Sequence, residues 1–355
     1  MIRRNARILF LTTIEFRPPF NGGTTYSFSL FQALQKISDV DVCLLKEERK
    51  FRLEILHKAA CLLRAFTSDI PLNVIYHSGM LARTMPDISS YDLIVSDHIE
   101  AYEAVRNFSV PCVIVAHNLE FKLAGDKLTS RATAFLLQLQ ARLERYEFAA
   151  FEQAAGVICI SYSEQEIVQR INGRTVQLLP AFAPPAKRPQ REGNKLRLGF
   201  LGPASWAPNR RTMALLAEVI LPQLSRPVKL VVAGRGWEDS GITFAPEMRL
   251  MGFVKNTDEF WHNIDVLIAP TQQGAGVNIK ICEALHNGVP VLTNTLSAMA
   301  IFGERPLPDN IMVADTDTAL VETLERLSLP ETYVHTDLFT QVTLQDRLRK
   351  FLERF

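Results

Sequence analysis

The stretch with the clearest chemical potential is Gly274–Pro290, which reads GAGVNIKICEALHNGVP. A buried strand ending near Pro270 leads into a glycine-containing loop and then into a helix that carries Lys280 and Glu283. The amides at the start of a helix attract anions, and Lys280 adds a full positive charge there. Glu283 is suited to accept hydrogen bonds from the paired hydroxyls of a ribose. The pattern predicts a nucleoside diphosphate site; the alternative is a plain strand–loop–helix unit with a solvated lysine and glutamate.

This helix should end before Gly288, a good residue for the left-handed position after a helix, with Pro290 following. Lys280 is also a catalytic candidate, because its charge can stabilise a departing diphosphate. The residues predicted to bind the nucleotide in this stretch are Gly274, Gly276, Asn278, Ile279, Lys280 and Glu283.

Further candidates follow predicted strands in the first half of the chain. Gly22 and Gly23 open a helix after the first strand, and without a Cβ the backbone there can pass close to a phosphate or sugar. His117 follows another strand and can bond a sugar hydroxyl or offer its carbonyl to the reacting centre. Gly23 and His117 are therefore catalytic candidates, and the pair Asp97-His98 is a secondary one. The alternatives are a simple turn and structural histidines.

Two Asp-x-Asp triplets occur, Asp39-Val40-Asp41 and Asp315-Thr316-Asp317. Metal-dependent transferases use such pairs to hold Mg²⁺ against a diphosphate. The first triplet merges into a strand and the second lies in a turn far from any glycine loop. We therefore interpret both as solvated carboxylates and expect neither a metal nor another resident cofactor. The sequence also contains no Gly-x-Ser-x-Gly, so a serine-hydrolase elbow is not indicated.

These candidates require strands and helices that alternate along the chain. Near-continuous apolar runs are typical of parallel strands covered on both faces, and their alternation with helical patterns predicts a doubly wound α/β fold. The predicted strands are Arg7–Thr12, Val40–Leu45, Leu93–Ser96, Cys112–Ala116, Val157–Ile160, Leu196–Leu201, Lys229–Ala233, Leu250–Phe253, Asp265–Ala269 and Pro290–Thr293. The predicted helices include Thr24–Lys36, Ala132–Ala155, Arg210–Leu224 and Leu344–Phe355.

The proline-rich stretch Pro180–Asn194 divides this pattern into two halves. We expect a domain at 1–180, a linker at 181–194, a second domain at 195–335 and a final helix at 336–355 that returns to the first domain. Two such domains imply a cleft, and ligands bind at the carboxyl ends of the strands.

The composition excludes several classes of protein. The chain has 355 residues, 47% of them hydrophobic, which is enough for two packed domains rather than a disordered chain. The formal net charge of +1 disfavours a nucleic-acid binder. Five scattered cysteines without a CxxC pair fit a reducing cytoplasm. Residues 46–66 are basic and apolar at helical spacing, which suits either an anionic membrane surface at the inner face or an ordinary core-facing helix.

The Gly274–Pro290 stretch resembles the donor-binding motif of the retaining GT-B glycosyltransferases of family 4. That motif has a glycine loop, a helix with Glu and Ala, and a Gly-x-Pro-Val ending. In its usual form two glutamates stand eight positions apart. Glu283 matches the second glutamate, whereas Ala275 stands at the position of the first, which contacts the donor sugar in the family.

The resemblance implies a GT-B fold, with two Rossmann-like domains facing a cleft, and transfer from a nucleotide sugar with retention; with no metal expected from the Asp-x-Asp triplets, the transfer would be metal-independent. It places Glu283 on the ribose and a histidine at the position of His117 on the donor sugar. Residues 202–210 resemble the phosphate-facing loop, which implies nucleotide contacts for Asn209 and Arg210, with Arg211 as an alternative. Gly234 would border the nucleotide. The implied acceptors are glycans or lipid-linked molecules on the side of the first domain.

Three other functions remain compatible with the sequence. A non-catalytic relative acting as a nucleotide-sugar-binding subunit is favoured by Ala275. A nucleotide-sugar epimerase of the same fold would need no acceptor. A membrane-recruitment module would depend on residues 46–66 alone.

Overall fold

The chain folds into two units, each built on a six-stranded parallel sheet. The structure is a computed structural model that describes residues 6–45, 85–126, 133–187, 195–271, 276–329 and 335–355. Unit 1 comprises Met1–Ala181 and Gln341–Phe355, and unit 2 comprises Phe182–Thr340. Residues 46–66, the predicted membrane-surface segment, lie outside the described residues. No helix among those described is long and apolar enough to cross a bilayer.

The sheet of unit 1 has the strand order β2-β1-β3-β4-β5-β6, and every pair of neighbours is parallel. Its strands are β1 (Arg7–Thr12), β2 (Asp39–Leu44), β3 (Leu93–Asp97), β4 (Cys112–Ala116), β5 (Gly156–Cys159) and β6 (Thr175–Gln177). β3 and β4 are buried along their whole length, as expected for strands covered on both faces. From β1 the chain adds β2 on one side and β3 on the other, so the direction of winding reverses between β1 and β3.

The helices of unit 1 are α1 (Gly22–Gln35), α2 (Ile99–Tyr102), α3 (Glu120–Asp126), α4 (Thr133–Gln153), α5 (Tyr162–Gln169) and the final helix α11 (Gln341–Leu352). The final helix packs on β5, where Gly156 leaves room for the rings of Phe351 and Phe355. A methyl group on Gly156 would come within 2.9 Å of the Phe351 ring. Phe351 is 1% exposed, so this contact belongs to the core of unit 1.

The sheet of unit 2 has the order β12-β11-β10-β7-β8-β9, again parallel throughout. Its strands are β7 (Leu196–Leu201), β8 (Val228–Ala233), β9 (Met248–Gly252), β10 (Val266–Ala269), β11 (Val291–Thr293) and β12 (Ile311–Val313). Here winding reverses between β7 and β10. The two parallel sheets confirm the predicted α/β class with two Rossmann-like domains.

The helices of unit 2 are α6 (Ala207–Ala214), α7 (Thr257–His262), α8 (Ile279–His286), α9 (Thr295–Phe302) and α10 (Asp317–Arg326). The predicted helix at Arg210–Leu224 was wrong in its start and its continuity. α6 begins at Ala207, because Pro208 suits the first turn, where its missing amide costs nothing. After Ala214 the chain continues as a π-helical segment, Leu215–Ile220, and then as a short 3₁₀ turn that contains Pro222.

Replacing Phe351 by alanine should lower the free energy of unfolding by about 3–5 kcal/mol, because it leaves a cavity beside Gly156. The matched control is Val342→Ala on the same helix, where the side chain is 68% exposed and a change below about 0.5 kcal/mol is expected. Urea denaturation of both variants measures the difference. Equal effects of the two substitutions would contradict the packing of this helix on β5.

Candidate active site

In unit 1, polar side chains meet where winding of the sheet reverses. Thr12 ends β1, Asp97 ends β3 and pairs with Thr12 in the sheet register, and His117 directly follows β4. The carboxyl ends of adjacent parallel strands lie at one edge of a sheet, and ligands of open α/β sheets bind at such reversal points. The structure thus brings together His117 and the Asp97-His98 pair, which the sequence offered as separate candidates.

The Asp97 carboxylate is the centre of this group and is completely buried. Its Oδ1 lies 2.7 Å from Nε2 of His117. Its Oδ2 accepts hydrogen bonds from the hydroxyls of Ser27, at 2.8 Å, and Thr12, at 3.1 Å. One carboxylate therefore links α1 to three neighbouring strand ends.

His98 completes the group by stacking on one face of the His117 ring. Its Nδ1 lies 3.5 Å from Asp97 Oδ2, and its ring stacks on that of His117 with centroids 3.7 Å apart and planes 7° from parallel. The backbone of His98 has φ 79°, a left-handed value that a residue with a Cβ rarely adopts and that costs about 1–3 kcal/mol. Such strain persists only where the surroundings enforce it, as the stacked ring and the ion pair do here.

The pKa values follow from this packing. Burial acts to raise the pKa of Asp97, but the two histidines outweigh it and hold the pKa well below its usual range. Burial acts to lower the pKa of His98, yet the Asp97 carboxylate raises it to about 9. Burial and the neighbouring charge of His98 lower the pKa of His117. At neutral pH the group therefore contains an ionised Asp97, a protonated His98 and a neutral His117.

The same three residues offer ligand atoms within 4.8 Å of one another, as a metal site would require. The ring geometry opposes that use. Nitrogen lone pairs lie in the ring plane, and two parallel rings 3.7 Å apart cannot direct both lone pairs at one ion. Oδ2 of Asp97 is also already engaged by Ser27 and Thr12, and Oδ1 by His117. The cluster fits a hydrogen-bonded carboxylate–histidine pair rather than a metal centre.

The loop after His117 is held by buried carboxylates. Glu164 accepts a hydrogen bond from the amide of Leu119 at 3.0 Å. Glu147 accepts from the amides of Glu120, at 2.9 Å, and Phe121, at 2.8 Å. Burial raises the pKa of Glu147 to about 8. The first amides of α3, which would otherwise attract an external anion, are thus taken by the protein itself.

The predicted glycine loop opens α1 as expected from its position. Asn21 caps the helix by accepting from the Thr24 amide at 2.9 Å, and the Thr24 hydroxyl accepts from the Asn21 amide at 3.0 Å. Gly22 is the first helical residue. A Cβ on Gly23 would stand 3.9 Å from Nδ1 of His117 and would make only ordinary contacts. Gly23 lies beside His117, but packing within the protein does not require a glycine at this position.

In unit 2, two glycine turns touch at the carboxyl ends of β7 and β8. A Cβ on Gly234, which has φ 139°, would overlap the Gly202 carbonyl. That carbonyl also accepts a hydrogen bond from the buried Trp237 indole at 2.8 Å. Asn209 donates to the Pro203 carbonyl at 2.9 Å and so braces the same loop. Arg210 is exposed and bonds the carbonyl of Ala204 in that loop.

Lys280 lies next to this loop, at the start of α8. Its ammonium donates to Asn209 Oδ1 at 3.3 Å and stands 4.4 Å above the centre of the Phe200 ring. Burial lowers the pKa of Lys280 to about 7, and no carboxylate of the described residues opposes this shift. An ammonium group in that setting gains strongly from an added anion.

Glu283 lies one turn further along α8 and is held in place by α7. Its Oε1 accepts hydrogen bonds from the Thr257 hydroxyl, at 2.5 Å, and the Trp261 indole, at 3.1 Å. Burial raises the pKa of Glu283, opposed by these two donors. One oxygen is thus fixed by protein donors, an arrangement that orients Oε2 for a further donor.

The start of α8 has the properties of an anion site among the residues described. Asn278 occupies the cap position but does not cap the helix; its side chain bonds the Thr271 hydroxyl at 3.0 Å instead. The first amides of α8, starting at Ile279, are therefore not taken by that side chain. Gly276 precedes them with φ 81°. Gly274 and Ala275 lie outside the described residues, so the turn itself is not described.

Several residues that contact the Asp97 group in unit 1, or Lys280 and Glu283 in unit 2, carried no signal in the sequence. Those missed are Thr12, Ser27, Glu147, Glu164, Phe200, Thr257 and Trp261. Each acts through a partner far away in the chain, so no local motif marks it. Asn256 caps α7 at its start, but nothing in the local sequence reveals that Trp261 reaches Glu283.

Comparison with known proteins finds a family similar to part of unit 2. Residues 195–329 match the sequence model of the family described as glycosyl transferases group 1. This part of unit 2 is therefore similar to the group 1 glycosyltransferases. The matched region includes Asn209, Gly234, Lys280 and Glu283, so the unit 2 candidates all fall inside it. No curated protein sequence matches the chain.

Solved structures show the same fold for the whole chain. Anabaena HepE in complex with UDP and glucose matches with a TM-score of 0.64 at 14% identity, covering 99% of this chain and 100% of that one. The apo lipopolysaccharide outer core galactosyltransferase WaaB matches with a TM-score of 0.58 at 12% identity, covering 98% and 99%. TarM matches with a TM-score of 0.52 at 13% identity, covering 79% and 54%. These structures establish the GT-B fold.

Replacing Glu283 by glutamine should raise the dissociation constant for UDP by about 10-fold, because a charged acceptor for the ribose hydroxyls becomes a neutral amide. Glu322→Gln on the exposed face of α10 is the control and should leave affinity unchanged. Isothermal titration calorimetry on both variants makes the comparison. Unchanged UDP affinity in Glu283→Gln would remove the residue from the nucleotide site.

Proposed function

We propose that this nucleotide-sugar-dependent glycosyltransferase transfers its sugar with retention of anomeric configuration, and that protein groups rather than a metal ion stabilise the diphosphate. The observation that carries the proposal is the desolvated ammonium of Lys280 at the uncapped start of α8. It supplies positive charge where the amides of a helix N-terminus also point.

The nucleotide is assigned to unit 2. Lys280, the first amides of α8 and the exposed Arg210 bind the diphosphate, while Glu283 accepts from the ribose hydroxyls. Asn209 holds Lys280 and its own loop together, as its two hydrogen bonds indicate. Gly202 and Gly234 have no Cβ, so the nucleotide can approach the backbone closely at these two turns.

Metal independence is supported by how the acidic triplets are engaged. Asp41 accepts from Arg7 at 3.0 Å and from the Tyr91 hydroxyl at 2.9 Å. Asp315 accepts from the amide and the hydroxyl of Thr295. Neither triplet presents two unoccupied carboxylates to a diphosphate.

The reaction proposed is a same-face displacement. The bond between the sugar C1 and the diphosphate oxygen breaks while the acceptor oxygen bonds C1 on the same face. The acceptor proton passes to the departing diphosphate oxygen, so no protein nucleophile is needed. We assign Gly23 and His117 to the sugar and acceptor, because His117 stays neutral beside the start of α1.

The donor proposed first is a UDP-hexose, because Anabaena HepE was solved with UDP-glucose and with UDP and glucose. The proposed acceptor is a carbohydrate, free or lipid-linked, in line with the lipopolysaccharide transferase WaaB. Attachment to an anionic membrane surface through residues 46–66 and a cytoplasmic location remain part of the proposal. Nucleic acid is not among the proposed partners.

The test is a donor screen with UDP-glucose, UDP-galactose and GDP-mannose against carbohydrate acceptors, read by product mass and anomeric proton coupling. A retained product, formed equally with and without EDTA, is expected. Lys280→Met should lower the rate by about 100-fold, whereas Lys195→Met at the opposite end of β7 should not.

Other outcomes of this screen would contradict parts of the proposal or favour a different function. An inverted product would contradict retention, and loss of activity in EDTA would contradict metal independence. Epimer or free sugar formed without an acceptor would indicate an epimerase. Tight nucleotide binding without turnover of any donor would indicate a non-catalytic binding subunit, the function that Ala275 favours.

A further inference from the structure

We propose that Asp97 and His98 are positioning residues that hold His117 as the Nε2–H tautomer, so that its Nδ1 accepts a hydrogen bond from a sugar hydroxyl. The role of that hydroxyl rests on the proposed function, whereas the tautomer follows from contacts within unit 1. Neither Asp97 nor His98 is assigned to contact the reacting atoms.

The bond between Asp97 and His117 fixes the proton. An ionised carboxylate can only accept, and Oδ1 of Asp97 is 2.7 Å from Nε2 of His117, so Nε2 must carry hydrogen. The carboxylate cannot turn away, because the hydroxyls of Ser27 and Thr12 hold Oδ2 and the side chain is fully buried. A neutral imidazole with its proton on Nε2 has Nδ1 as its acceptor atom.

The faces and edge of the ring are fixed as well. The His98 ring covers one face at 3.7 Å, and the Tyr26 ring meets His117 at 80° with centroids 5.3 Å apart. Rotation of His117 about its bond to the backbone would break the Asp97 bond and displace both rings. Nδ1 therefore stays on the side of Gly23, where an added Cβ would lie 3.9 Å from it.

His98 contributes charge in addition to shape. It is the cation of the group, since Asp97 raises its pKa to about 9, and Glu100 on α2 adds to that effect. A positive charge stacked on His117 disfavours a second one there, which keeps His117 neutral as an acceptor requires. The left-handed backbone of His98 places the ring in this position at the expense of local strain.

Asp97→Asn separates positioning from a purely structural role. The amide of asparagine can donate to Nε2, which favours the opposite tautomer, with hydrogen on Nδ1 and no acceptor left there. In ¹⁵N-histidine NMR of the full-length protein, wild-type His117 should be the Nε2–H form at pH 7 and the variant should shift toward Nδ1–H. The kcat should fall about 10- to 100-fold, with the KM for the donor within about twofold. Asp346→Asn, an exposed carboxylate on α11, is the control and should change neither signal.

His98→Gly provides a second test that does not depend on Asp97→Asn folding. Glycine adopts φ 79° without strain, so the variant keeps the backbone and loses only the charged ring. The pKa of His117, followed by NMR, should rise by about one unit in this variant, and kcat should fall while the protein remains folded.

The outcomes separate this inference from the proposed function. A wild-type His117 that is charged or Nδ1-protonated at pH 7 overturns the inference, as does an unchanged His117 tautomer in Asp97→Asn together with an unchanged pKa in His98→Gly. These readings need no substrate. If the tautomer shifts as expected but the wild type transfers no sugar, the positioning stands and the proposed function fails.

Discussion

The structure depends on one electrostatic constraint, the removal of the Lys280 ammonium from water without a carboxylate partner among the residues described. Its neighbours compensate only in part: the Phe200 ring offers a weakly negative face, and Asn209 offers one amide oxygen. The start of α8 adds further positive potential, because its cap residue Asn278 points elsewhere. Unit 2 thus holds uncompensated positive charge at the point where its sheet reverses its winding. In the proposed function a bound diphosphate supplies the missing negative charge, which would give a physical reason for nucleotide binding there.

Unit 1 handles buried charge in the opposite way. Asp97 is fully buried, but the protonated His98 balances its charge, and His117 and two hydroxyls hydrogen-bond it. The loop after His117 has its amides bound by Glu147 and Glu164. This unit therefore has little demand for an external anion and presents instead a rigid, neutral hydrogen-bonding group. The contrast fits a division of labour in which one unit binds the charged nucleotide and the other orients uncharged hydroxyls. Both groups lie at carboxyl ends of adjacent parallel strands, the position that the topology of open α/β sheets favours.

The sequence predicts those parts of the fold and of the candidate site that a local pattern of residues marks. The strand Cys112–Ala116 is apolar along its length, as expected for a strand covered on both faces, and the structure confirms its bounds, whereas most other strands are shifted by one or two residues. Lys280 and Glu283 are marked by their spacing after a glycine loop. The residues that orient Glu283 are not marked, because Thr257 and Trp261 lie 26 and 22 positions before it in the chain and meet it only in the folded unit. Asp97 and His117 likewise meet through strand pairing, and their separation of twenty residues has no periodic signature. The helix start at Ala207 was missed because Pro208 signals a break as readily as a first turn.

The most direct test of the account counts protons taken up when UDP-glucose binds, by calorimetry at pH 8 in buffers with different ionisation enthalpies. The diphosphate diester of this donor does not titrate near neutral pH. With a pKa of about 7, Lys280 is mostly neutral at pH 8, and a bound diphosphate should recharge it. The account predicts uptake of about one proton by the wild type and by Lys195→Met, with affinity falling as the pH rises above 7, and uptake of almost none by Lys280→Met. Equal proton uptake by the wild type and Lys280→Met would contradict it.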